Sequence, residues 1–249
     1  MISRSLVRTI RKIQRYALSP FVLNDLRAYR ATKGADRFST SLKDVFPCIK
    51  DKTVTTGFDR HYVYHTAWAA RVVKEISPVR HVDISSMLYF CGIISAFVPV
   101  DFYDYRPANL SLTNLDSKKG DLHHLPFEDK SVPSISCMHT IEHIGLGRYG
   151  DPIDAEGDIK ALNELKRVTA SGGNLILVFP MGRPRIEFNA HRIYSYEQIM
   201  SYVADSEFKL HEFAFIPELE SEGPMIRHAD PRLVEKADYA CGCFWFKKN

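Results

Sequence analysis

The chain has 249 residues and is 45% hydrophobic, enough apolar content to bury a full core, which excludes a wholly disordered chain. No window approaches eighteen consecutive apolar residues, so the sequence gives no membrane-spanning helix. The net charge of +3 is unevenly spread: residues 1–80 carry 16 Lys/Arg against 6 Asp/Glu, and residues 81–249 carry 17 against 24.

The positive charge is confined to the N-terminal part and no nucleic-acid reader motif accompanies it, so no nucleic-acid partner is expected. Five cysteines, Cys48, Cys91, Cys137, Cys241 and Cys243, are an odd number without CxxC spacing. They point to a reduced, cytoplasmic setting and to no metal site. Cys241-Gly242-Cys243 sets both thiols on one side of a strand, where small core residues belong.

Residues 1–18 read as a basic amphipathic helix. Arg4, Arg8, Arg11 and Arg15 form one stripe, and Ile2, Leu6, Ile10, Ile13 and Ala17 fall opposite at about 100° per residue. The arginines interrupt any signal-peptide core, which leaves two readings: an anchor on an anionic membrane surface, or a helix docked on the rest of the chain. Residues 25–57 show weak periodicity and turn signals, a connecting segment with one short helix. Residues 1–57 are thus an N-terminal extension and 58–249 the main domain. From Phe58 a helix runs to Ile76, before Ser77-Pro78; its aromatic and imidazole residues either pack the core or wall a site.

Val79 to Ile84 reads as the first strand, ending in Asp83-Ile84-Ser85-Ser86-Met87-Leu88-Tyr89. Val98 to Tyr103 is the second, and Asp104 closes it 21 residues after Asp83, a spacing suited either to a carboxylate that accepts from ribose hydroxyls or to a surface turn before Arg106-Pro107. Residues 109–116 alternate polar and apolar residues, a helix or strand edge leading to Gly120-Asp121-Leu122. Ser134 to Met138 is a buried strand, with His139-Thr140-Ile141-Glu142-His143 directly after it. A glycine-rich loop follows, with four acidic side chains between Asp151 and Asp158, either solvated or a lid. Ile159, Leu162, Leu165 and Val168 make a helix stopped at Ser171-Gly172-Gly173, and Asn174 to Phe179 a strand ended by Pro180. The loop 183–195 either offers Asn189, His191 and Arg192 to a hydroxylated or anionic acceptor or is simply exposed. A helix (196–204), a strand (208–216), an acidic insertion (217–238) and a final strand (239–246) complete the chain.

Strand, crossover helix and parallel strand around the histidine elbow make a βαβ unit, whose ligands sit beyond the carboxyl ends of the strands. The elbow also satisfies the H-x-x-E-H pattern of zinc peptidases, but a strand precedes it and Gly145-Leu146-Gly147 follows, where that chemistry needs a long helix. Asp121-x-x-x-Leu125-Pro126-Phe127, the post-strand Glu142-His143 and the Gly172-Gly173-Asn174-Leu175 strand together resemble the class I S-adenosylmethionine-dependent methyltransferases, over roughly residues 80–216. His143 to Asp158 (HIGLGRYGDPIDAEGD) resembles a largely uncharacterised methyltransferase-like family of nematodes and bacteria.

The resemblance implies an α/β, Rossmann-like, doubly wound seven-stranded sheet with a C-terminal antiparallel strand, and S-adenosylmethionine as cofactor. It assigns Asp83, Ser85, Asp104, Asp121, Leu122 and His139 to the cofactor, Asp121 on the adenine amino group and Leu122 against the ring. His143, His191 and Glu142 are the catalytic candidates, with an imidazole as general base for a hydroxyl of a small-molecule or glycan acceptor. Ser85, Met87 and Tyr89 stand where the family has a glycine-rich turn. An altered cofactor loop and a catalytically inactive scaffold at a membrane surface are the two readings of that departure.

Overall fold

The computed structural model describes residues 20–48 and 50–249. The basic helix read over residues 1–18 lies outside them. The chain divides into two compact units, Met1–Gly57 and Phe58–Asn249. In the first, α1 (Pro20–Arg30) opens on a proline, whose fixed φ suits the first helical position, and has no buried residue. Two 3-10 turns follow, Ala35–Arg37 and Leu42–Asp44.

The second unit is built on a seven-stranded sheet. In chain order come α2 (Arg60–Ile76), β1 (His81–Ile84), α3 (Leu88–Ile94), β2 (Val100–Asp104), β3 (Leu115–Lys119) and β4 (Val132–Met138). They are followed by α4 (Gly157–Val168), β5 (Thr169–Gly182), β6 (Arg185–Glu187), β7 (His191–Ile193), α5 (Tyr196–Val203), β8 (Phe208–Pro217), α6 (Arg232–Lys236) and β9 (Tyr239–Lys248). The sheet order is β3-β2-β1-β4-β5-β9-β8, parallel from β3 to β5, with β9 antiparallel to both neighbours. β6 and β7 form a separate hairpin, where the sequence reads only as loop. Among the described residues no helix is long and apolar enough to cross a membrane.

Strand periodicity divides the core between the two sheet faces. In β5, Leu175, Leu177 and Phe179 pack with Leu162 and Leu165 of α4, while Ile176 and Val178 pack with Trp68, Val72 and Phe90 on the other face. α2 is capped by Asp59, whose Oδ1 accepts from Tyr62 N at 3.0 Å, a bond worth about 1 kcal/mol. Its buried residues, His61, His65, Trp68, Ala69, Val72 and Val73, fall on one face at helical spacing. His61 and His65 therefore continue the core stripe toward the strand ends.

Several boundaries depart from the sequence reading. β1 and β2 begin two residues later than their apolar runs, at His81 and Val100. The edge expected over 109–116 is β3, which starts only at Leu115 and runs to Lys119. α4 ends at Val168 rather than at the glycines, because the Lys248 ammonium from β9 caps it by donating to Lys166 O and Thr169 O at 2.8 and 2.9 Å. Gly172, at φ +72°, and Gly173 instead form a bulge in β5. The ladder to β4 steps there from Val132–Thr169 to Ser134–Asn174, and a Cβ on Gly173 would lie 2.7 Å from Ala170 O. Pro180 does not end the strand either, since β5 continues to Gly182 along β9.

Candidate functional site

Two cavities open at the carboxyl ends of the parallel strands, where an open α/β sheet binds its ligands. One, of about 360 Å³, is lined by Ser85 after β1, Asp104 to Arg106 after β2, Gly120 to His123 after β3, and His139, Thr140 and His143 after β4. Tyr149, Asp151 and Pro152 of the acidic loop line it as well. The other, of about 700 Å³, is lined by the start of α2, Ser85 to Met87, the His139–His143 turn, Arg148, Tyr149, Pro180, His191, Glu218 and Tyr239. Ser85, His139, His143 and Tyr149 belong to both. Both volumes fall within the range of about 300–1,000 Å³ typical of small-molecule sites.

In the smaller cavity, Asp104 Oδ1 accepts from Arg106 N at 2.7 Å and Asp121 Oδ1 from His123 N at 2.9 Å. Each carboxylate is thereby oriented by its own loop and keeps a second oxygen for a ligand. Leu122 is buried between the cavity and the core. Asp83 lines neither cavity. It is fully buried, with Ser86 N donating to its Oδ1 at 3.0 Å and the Ser136 hydroxyl to its Oδ2. Of the six residues assigned to the cofactor, Asp83 is thus set behind the site, and the other five line the smaller cavity.

Ser85 has φ +55°, the left-handed conformation that glycine ordinarily supplies, and pays roughly 1–3 kcal/mol of backbone strain. It is pinned by Ser85 N donating to Tyr103 O at 2.8 Å and by Thr140 Oγ1 donating to Ser85 O at 3.0 Å. Met87 and Tyr89, the bulky residues of the glycine-poor turn, do not line the smaller cavity, and Tyr89 is 79% exposed.

At the elbow, Ile141–His143 is a 3-10 turn, so His139 and His143 are not one α-helical turn apart as a peptidase motif requires. His139, at φ +53°, points Nδ1 to Glu142 Oε1 at 3.0 Å and Nε2 to Cys241 Sγ at 3.5 Å. Burial opposes charge on this ring, but Cys241 and the Glu142 carboxylate outweigh it and its pKa is raised. His143 donates through Nδ1 to Ala190 O at 2.6 Å, which leaves the lone pair on Nε2. Burial, opposed by Glu142, lowers the His143 pKa, so the ring is neutral at neutral pH. His191, from the β6–β7 hairpin, lines the larger cavity edge-on to His143, their ring centroids 6.3 Å apart.

Arg192 does not reach an acceptor. Its guanidinium is buried and donates to Ile144 O at 2.6 Å and to Asp154 O and Ala155 O at 3.4 Å, tying the acidic loop down. Asn189 is at the exposed hairpin tip. Within the loop, Asp151 accepts from the backbone N–H groups of Gly145, Gly147 and Tyr149. These bonds outweigh its partial burial and lower its pKa. The loop is therefore ordered by its own backbone and by Arg192, and it walls both cavities in the place of the lid the sequence offered.

A protein family described as Caenorhabditis protein of unknown function, DUF268, matches residues 126–209, a span that holds the elbow, the lid and His191. No curated protein matches the chain. Among solved structures, a Galdieria sulphuraria protein named as a sarcosine dimethylglycine methyltransferase is 14% identical, over 74% of this chain and 85% of its own, with a TM-score of 0.51. The fold is that of the class I S-adenosylmethionine-dependent methyltransferases. S-adenosylmethionine-dependent methyltransferases from Thermotoga maritima (17% identity, 76% of this chain and 91% of that one, TM-score 0.49) and Aquifex aeolicus (16%, 71% and 87%, 0.42) are also similar.

In this class I methyltransferase fold the larger cavity also draws on residues the sequence did not single out. Glu218 and Tyr239 come from the ends of β8 and β9, and Arg148 and Tyr149 from the lid. His61, on the face of α2 that carries the core stripe, carried a readable signal; Tyr239, distant along the chain, carried none.

Proposed function

We propose that the chain is an S-adenosylmethionine-dependent methyltransferase that acts on an oxygen of a sugar or other small polar acceptor. The observation that carries this is His143, a neutral imidazole with its Nε2 lone pair unused by Ala190, in the wall shared by a nucleoside-sized cavity and a larger polar one. When bound, the cofactor supplies a methyl group activated on a sulfonium. Asp104 would hold its ribose hydroxyls, Asp121 its adenine amino group and Leu122 the ring face, with Ser85 and His139 beside them. Their fit rests on the two oriented carboxylates in a cavity that Met87 and Tyr89 leave open.

His143 takes the acceptor's hydroxyl proton at Nε2, with Glu142 Oε1 3.8 Å away to favour the charged ring. His191 and Tyr239 line the acceptor cavity beside His143, and Tyr149 of the lid walls both cavities. Since catalysis is mostly alignment, few groups are needed.

Calorimetry of the full chain with S-adenosylmethionine tests the reading. Saturable binding is expected, weakened roughly ten- to a hundredfold in Asp104→Ala through loss of charged hydrogen bonds. Turnover on hydroxylated acceptors, read as S-adenosylhomocysteine release, is expected to fall by about 10²–10⁴ in His143→Ala while cofactor binding persists. The groups facing His143 are Glu142, Arg148, Tyr149 and His191. Because its pKa is lowered, the wild-type rate should rise with pH and level off below the ordinary histidine value of about 6.5. Absence of cofactor binding to well-folded protein would leave only the scaffold reading.

A further inference from the structure

We propose that His61, His139 and Cys241 bind a zinc ion at the floor of the larger cavity, with the fourth coordination position open to it. The three side chains come from separate elements: the first turn of α2, the elbow after β4, and β9. One donor atom from each lies within 4.8 Å of the other two. Tetrahedral zinc, with bonds of about 2.0–2.1 Å to nitrogen and 2.3 Å to sulfur, sets its donors about 3.4–3.7 Å apart. The His139 Nε2 to Cys241 Sγ distance of 3.5 Å already meets that requirement. His61 needs to close by about 1 Å at most, within the reach of a side-chain rotation.

Three further features belong to a metal centre. Glu142 Oε1 holds His139 Nδ1 at 3.0 Å, the carboxylate–imidazole pairing that fixes a ligand ring with its other nitrogen toward the ion. Beside the His139 ring, His65 Nε2 is buried without a hydrogen bond, an arrangement that buried polar groups rarely keep, and the buried His61 Nε2 faces the Glu218 carboxylate. Negative charge for a dication is at hand in Glu142 and in Glu218, whose Oε2 lies 3.1 Å from His61 Nε2, and binding the ion would take the proton from the Cys241 thiol. Two imidazoles and one thiolate suit zinc rather than magnesium or calcium, which take oxygen donors. Three protein ligands plus an open position define a catalytic type of zinc site, and His61 and His139 both line the cavity. An acceptor oxygen in that position would lose its proton more readily, as water does on zinc.

The test is metal binding by the full chain, which needs neither cofactor nor acceptor and so can fail independently of the methyl-transfer reading. Elemental analysis after gel filtration should find close to one zinc per chain. Replacement by cobalt(II) should give a thiolate-to-metal charge-transfer band in the near ultraviolet and intense tetrahedral d–d bands in the visible. Cys241→Ala should abolish the charge-transfer band and His61→Ala should weaken retention of the ion at least tenfold, while the exposed Cys48→Ser keeps both. A folded wild-type chain that gives no charge-transfer band with cobalt overturns the site, whatever becomes of the variants. A band that persists in Cys241→Ala overturns it equally.

Discussion

Asp83 shows how a residue correctly located in sequence acquires its role from a neighbour elsewhere in the chain. β1 pairs in parallel with β4, Asp83 opposite Ser136, and the two strands share a buried chain of bonds. The Ser134 hydroxyl meets His81 Nδ1 at 2.8 Å, His81 Nε2 meets the Ser136 hydroxyl at 2.9 Å, and that hydroxyl donates to Asp83. Burial raises the Asp83 pKa from 3.8 to about 6, against the hydrogen bonds from Ser136 and Ser86. It lowers that of His81 from 6.5 to about 3. A raised carboxyl pKa contributes stability that is full below about pH 4 and lost as pH rises through 6, at a cost of about 3 kcal/mol when ionised. The lowered imidazole pKa contributes stability that is full above pH 6.5 and lost on acidification. The two nearly cancel between pH 6.5 and 4. Asp83→Asn removes the first contribution, and the amide can donate to Ser136 if the His81 tautomer reverses. Urea denaturation should therefore find the variant about 1–3 kcal/mol more stable at pH 7 and falling steeply toward pH 4, where the wild type stays level. A variant less stable at pH 7 would show that the buried carboxylate is held by more than these bonds. The sequence marked Asp83 as a strand-tip acid; that Ser134 and Ser136 would satisfy His81 and Asp83 depends on register, which local pattern does not carry.

At the scale of elements, the lid from residue 145 to 158 depends on a close backbone approach. Gly145 has φ +81°, and a Cβ there would stand 2.1 Å from Asp154 O, so no side chain fits without opening the loop. Asp154 N also donates to Gly145 O at 2.9 Å, and the buried Arg192 of β7 holds the far side through Asp154 O and Ala155 O. Gly145→Ala should detach the lid from one wall of both cavities while leaving the sheet intact. Expected are roughly tenfold weaker S-adenosylmethionine binding and faster proteolysis within the loop, with a melting temperature within a few degrees of wild type. Unchanged proteolysis would mean that the lid closes by contacts other than these. The glycines and acids of this loop were legible as a break between strand and helix. Whether it was ordered was not, because the decisive partner, Arg192, lies 38 residues beyond Asp154.

The whole second unit is held together by its last strand. β9 lies between β5 and β8, with nine paired residues in the ladder to each, and its Phe244 and Phe246 pack on one sheet face while Cys241, Cys243 and Trp245 pack on the other. Its Lys248 caps α4, and its Tyr239 and Cys241 reach the site, so that core, crossover helix and cavity all wait on the final residues of the chain. The apolar run of 239–246 was readable as a strand, and the family resemblance implied its antiparallel sense. Its insertion beside β5 was not, because nothing local distinguishes an edge strand from a central one once both faces are apolar. Such non-local pairing forms only after long stretches of chain have been ordered, and an incomplete sheet exposes two open edges. Removal of residues 239–249 should therefore abolish cooperative unfolding and the near-ultraviolet dichroism of packed aromatics. Removal of residues 1–57, a separate compact unit, should preserve both. If the chain ending at residue 238 still unfolds in one sharp transition, β5 and β8 must pair without β9, and the sheet would owe its order to the helices packed on its faces.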